Sequence, residues 1–340
     1  MGILSFLKKR PDGPAEHWVA LAHERFQPDD LLKQAQEAET AGFDGVCCSD
    51  HLAPWWTEQT APTSSGNAWV WLGAAARETR RCDLGSAVTG IVHRYNPVVV
   101  AQQIATLEIL APGRTFLGVG SSEAMNEIPA GFDWPSPEEQ LARTEEALTI
   151  ITRLLDGETV DFDGRFFKTK RAVLYSRPKR RPPVYLSAFH EGAAELAGRL
   201  ADGVWTLGDP QQAPSILKTY KKAAQKEPFV LLQAVFAYAA DDDRALECAR
   251  EWKGTMVDRH YTDDVHDPAQ IQRNGEDEVP DELFTKQVIV SSDPQQHVKR
   301  IKAIEKLGAD AMVLMNISAA DPEGALRVYG DQVLPALESG

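Results

Sequence analysis

The stretch DLGSAVTGIVHRYNPVVVAQQIATLEILAPGRTFLGVG (83–120) decides the fold. DLGSAVTG (83–90) and RTFLGVG (114–120) are apolar runs of strand length. Between them lies a helical pattern at about 97–111, opened by Asn96-Pro97, a favourable helix start. A strand, a helix and a strand in direct succession imply a parallel pair joined by a right-handed crossover.

The same unit repeats outward in both directions. Upstream, HWVALAH (17–23) reads as a strand leading to a helix with Pro28, Asp29 and Asp30 in its first turn, and FDGVCCS (43–49) as a second strand before a helical pattern at 66–80. Downstream, a long amphipathic helix is expected over 137–155, then a β-hairpin in DGETVDFDGRFFKTK (156–170) with Asp163-Gly164 as its turn. VYLSA (184–188), GVWTL (203–207), FVLLQAVFAYA (229–239) and ADAMVLMNI (309–317) continue the strand series, closed by a helix over 321–338. Eight strands alternating with helices predict an α/β fold, a closed (β/α)8 TIM barrel with insertions, with an open doubly wound sheet as the alternative. The expected organisation is an N-terminal extension over 1–15 and one barrel domain over 16–340 carrying an insertion at about 241–285. Within the insertion, the polar, acidic residues 256–285, with Gly275 and Pro280, are the least regular part, and a long insertion of this kind is expected to act as a lid.

Composition narrows the function classes. A net charge of −14 argues against a nucleic-acid partner and an anionic membrane surface. No run approaches the roughly 18 apolar residues of a membrane span. MGILSFLKKRP at the start has too short an apolar stretch for a secretory leader, its positive charges follow that stretch, and Phe6 stands where a myristoylation motif wants Ser or Thr. Cys47, Cys48, Cys82 and Cys248 form no CxxC and are expected to be free buried thiols in a reducing, cytoplasmic setting. The eight histidines form neither HxH nor HExxH, so no metal is expected, and there is no GxSxG nucleophile.

In a barrel, chemistry sits where strands end. That rule selects His23, Glu24 and Arg25; Asp50 and His51 with Trp55 and Trp56; Ser121, Ser122, Glu123 and Asn126; and Phe189 with His190. Asp50-His51 is a candidate acid–base site, because histidine titrates near neutrality and a nearby carboxylate sets its tautomer. The alternative is that Asp50 caps the loop and His51 is polar surface. Trp55 and Trp56 could wall a planar ligand or cover a core edge. GVGSSE (118–123) lacks the third glycine of a dinucleotide fingerprint, and Glu123 there would repel a pyrophosphate. Glu123 is a candidate proton donor or simply a first-turn helix residue.

SDHLAPWW (49–56), HRYNP (93–97), GRTFLGVGSSEAMNEIPAGF (113–132), VDFDGRFF (160–167), AGRLADGVW (197–205) and VSSDPQQHVKRI (290–301) resemble the luciferase-like monooxygenase superfamily. The nearest branch is that of glucose-6-phosphate dehydrogenases dependent on coenzyme F420, a deazaflavin. The resemblance implies a barrel, often dimeric, with a flavin-type ring at its C-terminal mouth and a small-molecule substrate. It implies that His51 acts on the substrate hydroxyl proton, that Trp55 lies against the reacting centre and that Glu123 donates a proton at the ring. Glu24 would position substrate, and Asp50 and Asn126 would hold the ring. Gly120, Ser121 and Ser122 would contribute to the cofactor site, as would a non-prolyl cis peptide near Ala87-Val88.

Two departures accompany the resemblance. Where sugar-phosphate-binding members use two lysines and an arginine, this chain has Pro210 (or Asp209), Arg273 and Gln287. Glucose 6-phosphate is therefore not the expected substrate, and Thr206, Arg273 and Gln287 stand as substrate-contact candidates. In SAFHEG (187–192), Ala188, Phe189 and His190 occupy a cofactor-phosphate region where relatives carry a glycine pair, which keeps FMN open as the alternative cofactor. A non-catalytic binding or partner barrel is the third reading, opposed by His51, Trp55 and Glu123 being present.

Overall fold

The computed structural model describes residues 15–339, so the leader and acylation readings on the first residues lie outside it. The strands are β1 (Glu16–Leu21), β2 (Gly45–Cys48), β3 (Asp83–Gly90), β4 (Thr115–Gly120), β5 (Val160–Asp163), β6 (Lys168–Ala172), β7 (Val184–Ser187), β8 (Gly203–Leu207), β9 (Val230–Ala237), β10 (Ile289–Val290) and β11 (Ala311–Asn316). Eight of them close a parallel barrel in the order β1-β2-β3-β4-β7-β8-β9-β11, with β11 returning to β1. The expected closed barrel is therefore what forms, and the open sheet is not. The two-residue β10 takes up the edge of β9 at Phe236 and Ala237, beyond the point where β8 leaves it.

Side-chain alternation separates two layers. On β1, Val19 and Leu21 pack outward into the large cluster shared with the helices, while Trp18 and Ala20 point into the barrel. Trp18, Phe116, Tyr185, Trp205 and Phe229 fill the interior's lower half. Trp18 stacks on Phe116 at 4.4 Å and Tyr185 on Phe229 at 5.4 Å between ring centroids. This aromatic plug fills the barrel where the strands begin, so a ligand would enter at the other end.

The hairpin forms, but its turn is not the two-residue one expected. Asp163 pairs with Lys168 around a four-residue loop, and the Glu146 carboxylate accepts the backbone N–H groups of Arg165, Phe166 and Phe167 at 2.7–3.0 Å. A carboxylate from the long helix Pro137–Leu155 thus supplies what local turn chemistry would otherwise have to.

The insertion is the larger correction, because it is helical almost throughout. Helix Asp242–Ala249 leads into 3-10 turns at Arg250–Met256 and Asp258–Tyr261, then helices Pro268–Glu278 and Asp281–Gln287. Pro268 follows the capping Asp267, a favourable helix start, but the two helices bury few residues, chiefly Ile271, Gly275 and Phe284. So narrow an apolar stripe gives little periodicity to read. The insertion's Trp252, Val257, Val265, Ile271, Val279, Phe284 and Val288 form one cluster with Trp55, Trp56, Ala22, Met125, Ala237 and Ile317. The last four follow or end β1, β4, β9 and β11, so the insertion sits over the C-terminal mouth.

Cys47, Cys48 and Cys82 are buried and Cys248 part-buried, all as free thiols. Among the described residues, no helix is long and apolar enough to cross a membrane.

Candidate active site

The mouth has a floor of small residues. Gly118 and Gly120 fall on the same face of β4 as the buried Phe116, pointing into the barrel. A Cβ on Gly120 would lie 2.8 Å from Val88 Cγ2 and one on Gly118 3.0 Å from Val88 Cγ1, so both glycines let β4 pack closely against β3. Beside them, the Ala87-Val88 peptide is cis, and the β3–β4 register shifts between Ser86 and Thr89. Ala87, Val88, Ser187, Val235 and Met315 are strand residues in a closed barrel, yet all remain part-exposed. Helices cover the outside, so solvent reaches them through the mouth, where a hollow sits above the aromatic plug.

His51 stands at the rim, three residues past β2. Its Nδ1 lies 3.5 Å from Glu24 Oε1 and its Nε2 3.9 Å from Glu123 Oε2. The imidazole is thus flanked by a carboxylate on each nitrogen. Glu24 is 1% exposed, and its other oxygen accepts from Ser49 Oγ at 2.7 Å. Ser49 Oγ in turn accepts the His23 N–H at 3.3 Å. Glu123 is held at 2.8 Å by Asn126 Nδ2, whose Oδ1 accepts the Leu52 N–H. The loop that carries His51 and the loop that carries Glu123 are therefore tied together by one amide.

Ser122 adopts a left-handed φ of 66°, and Glu123 follows as the N-terminal cap of the short helix Ala124–Glu127. Gly90 lies beneath, where a Cβ would come within 2.4 Å of Ser122 Cβ. His51 Nδ1, Ser122 Oγ, Glu127 Oε1 and Arg94 Nε are buried polar atoms without a hydrogen-bond partner in the protein. A buried polar group left open calls for a partner outside the protein, such as a ligand or water. Burial raises the Glu127 carboxyl above its usual range, although its other oxygen accepts the Arg94 N–H at 2.7 Å.

The carboxylate that faces His51 is Glu24, not the adjacent Asp50. Asp50 turns to Thr89 Oγ1 (2.9 Å), Tyr95 OH (3.1 Å) and Arg94 (3.4 Å), an anchor beneath the site. Burial and the Asp50 charge push the Tyr95 phenol well above its usual range, so it stays a donor. His23 also leaves the cluster: it packs edge-on to Trp71, and burial lowers its pKa. Trp55 lies at 5.4 Å from the His51 ring, as a wall residue should. Trp56 does not join it; fully buried, it packs against Trp252 as core.

The remaining expected residues divide. Gly120, Ser121 and Ser122 line the approach from β4 to Glu123. Ala188 is buried at the end of β7, Phe189 is exposed, and His190 caps helix Glu191–Leu200 through Nδ1 to the Ala193 N–H. Thr206 shares its strand face with Val204, which packs in the outer cluster, so it points to the helices rather than the hollow. Arg273 and Gln287 are exposed on the insertion's helices. None of these three shares a hydrogen bond, ion pair or ring contact with His51, Glu24 or Glu123. Tyr261, which the sequence did not single out, is 5.7 Å from Trp55. Ser49 and Arg94 were visible within quoted motifs but carried no signal of their roles. Among the described residues, no three His, Cys, Asp or Glu side chains gather as a metal site requires.

Known proteins resemble the chain over nearly its whole length. The chain is 39% identical over 334 residues to the F420-dependent glucose-6-phosphate dehydrogenase of Microbacterium testaceum, covering 95% of this chain and 98% of that one. It is 35% identical to the enzyme of the same name from Mycolicibacterium smegmatis, covering 85% and 88%. Among solved structures, an F420-dependent secondary alcohol dehydrogenase in complex with an F420-acetone adduct superposes with a TM-score of 0.88 at 29% identity, over 95% of this chain and 99% of that one. The coenzyme F420 dependent tetrahydromethanopterin reductase from Methanopyrus kandleri shares the fold, with a TM-score of 0.77 at 21% identity over 96% and 100%. The family model described as luciferase-like monooxygenase matches residues 2–311, and the chain belongs to that family.

Proposed function

We propose that this protein is a coenzyme F420-dependent oxidoreductase that interconverts a hydroxyl and a carbonyl on a small-molecule substrate. The observation that carries the reading is the His51 imidazole set between Glu24 and Glu123 at the C-terminal mouth of the barrel. The relatives named above supply the cofactor class. The residues present fit it: Ala87, Val88 and Ser187 keep part-exposed strand surface at the mouth for a flat ring, and Ser122 Oγ, just past β4, is an open polar atom. Ala87, Val88 and Gly120–Ser122 would hold the ring, with His190 toward the outer part of the cofactor. When bound, the deazaflavin supplies a two-electron hydride acceptor, chemistry no side chain offers.

The protein's own contribution is proton handling and exclusion of water. Loss of hydride from a carbinol carbon is easy only if the hydroxyl proton leaves as well, and His51 Nε2 is the group placed to take it. Glu24 opposite Nδ1 orients the ring and balances the charge His51 gains. A 3.5 Å separation is longer than a formed hydrogen bond, and such contacts often tighten only when substrate is present. Glu123, held by Asn126 and 20% exposed, is the carboxyl placed to exchange a proton on the cofactor side. Trp55 and the insertion shield the site from water.

Glucose 6-phosphate is not the substrate in this reading. Of the three positions where sugar-phosphate-binding relatives carry cations, only Arg273 is basic here, and Asp209 instead accepts the Gln211 and Gln212 N–H groups. One exposed arginine makes a poor phosphate cradle. The proposed assembly is a homodimer. Helix Pro97–Leu110 exposes Val99, Ile109 and Leu110 beside the polar Gln102 and Thr106, and such an exposed apolar group suits a second copy of the chain.

The test is to titrate purified protein with F420 and with FMN and then add a secondary alcohol. Saturable F420 binding and loss of its oxidised absorbance on adding alcohol are expected. Saturable FMN binding with none of F420 would overturn the reading in favour of a flavin enzyme.

A further inference from the structure

Aromatic rings run in a chain from the His51 imidazole to the rim of the mouth. Trp55 is 5.4 Å from His51, Tyr261 is 5.7 Å from Trp55, and Phe189 is 6.2 Å from Tyr261. These rings come from three separate segments: the loop after β2, the insertion and the end of β7. The Tyr261 hydroxyl donates to Thr255 O at 2.7 Å, inside the insertion itself, so its polar end is committed there. What Tyr261 offers Trp55 and Phe189 is its ring. Burial, with Glu123 and Glu24 close by, keeps the phenol far above its usual pKa and therefore uncharged. Phe189 is 49% exposed, so the wall still has apolar surface to bury.

The charges around this wall are matched among themselves. Arg25, next to Glu24, pairs with Glu251 at 2.8 Å. Arg94 pairs with Asp50, and Arg259, two residues before Tyr261, pairs with Glu278. Glu24 and Glu123 flank His51, and among the described residues no arginine or lysine is ion-paired to either. An anionic substrate would meet carboxylates first and lose its hydration without gaining a cation, which is costly. A neutral molecule with an aliphatic part loses little and gains contact with three rings.

We propose that Tyr261 is a specificity-determining residue, which with Trp55 and Phe189 selects a neutral alcohol or ketone through the aliphatic substituent on its reacting carbon. This rests on the oxidoreductase reading above. In the oxidation direction, the carbinol C–H bond breaks with its electron pair passing to the deazaflavin, the O–H proton goes to His51, and the C=O bond forms.

The experiment measures kcat/KM with F420 for 2-propanol, 2-butanol and 2-pentanol, and for glucose 6-phosphate and 3-hydroxybutyrate as anions. Wild type should gain about three- to fourfold per added methylene, mostly through KM, and should turn the anions over at least about 100-fold less well. Tyr261→Ala should flatten the gain, while Tyr261→Phe should keep it, and F420 affinity, read by its fluorescence, should stay within about twofold in both. Phe189→Ala, an exposed position, gives the same flattening in part should Tyr261→Ala fail to fold. Quenching of tryptophan fluorescence by 2-pentanone without cofactor should weaken in both alanine variants. A slope that is flat in wild type or unchanged in the variants, or a preference for the anions, overturns the proposal while leaving the oxidoreductase reading intact. No alcohol of either kind reducing F420 overturns the oxidoreductase reading, and the proposal with it.

Discussion

Glu24 Oε1 lies 3.5 Å from His51 Nδ1, although the two residues come from the ends of different barrel strands. Ser49, at the end of β2 two residues before His51, fixes Glu24 through a 2.7 Å hydrogen bond to its other oxygen. The acid–base unit is therefore assembled by closure of β1 against β2.

Replacing Glu24 with Gln keeps the shape and the Ser49 bond but removes the charge facing His51. Turnover of alcohol should fall by about 10- to 100-fold, with F420 affinity nearly unchanged, in steady-state kinetics and a fluorescence titration. A loss confined to KM would instead show that Glu24 only binds substrate.

Glu123→Gln should depress turnover by about tenfold or more and shift the pH–rate profile, since Glu123 is the second carboxylate on the imidazole. The Asn126 contact can survive the change, so thermal stability should hold. A superimposable pH profile would remove Glu123 from proton transfer.

Asp83, at the opposite end of the barrel, gives a pH prediction for stability. Burial, helped by Glu16 and opposed by Arg180 and Arg114, raises its carboxyl to about 7. Its folded pKa thus exceeds the unfolded value of about 3.9, so the native state holds the proton more tightly. The stabilisation this brings is complete below pH 4 and is lost as pH rises to about 7. Asp83→Asn should raise stability by about 1–3 kcal/mol at pH 8 and by little at pH 4, measured by urea denaturation. An equal effect at both pH values would show that ionisation of Asp83 is not what matters.

Ile109→Glu on the exposed face of helix Pro97–Leu110 should convert a dimer to a monomer in sedimentation velocity, because a charge would have to be buried at the interface. Wild type sedimenting as a monomer would contradict the proposed homodimer.

Much of the barrel was legible because its signal is local and repeated. Each strand is a short apolar run, and helix starts such as Asn96-Pro97 and Pro28-Asp29-Asp30 mark the return connections. His51 and Glu123 were legible by position, since both follow strand ends. The partner of His51 was not, because adjacency in sequence pointed to Asp50, whereas strand closure brings in Glu24. Thr206 came with the family resemblance, which does not say which face of its strand a side chain takes; it shares the outer face with Val204. Tyr261 was invisible because the insertion buries so little of each helix that its pattern looks irregular. Its contact with Trp55 is purely tertiary.

The most direct test follows single-turnover reduction of F420 by a secondary alcohol in wild type and in His51→Ala. The variant should bind F420 within about twofold of wild type yet react about 10²–10⁴ times more slowly. An unchanged rate would show that the imidazole between the two carboxylates does not carry the proton.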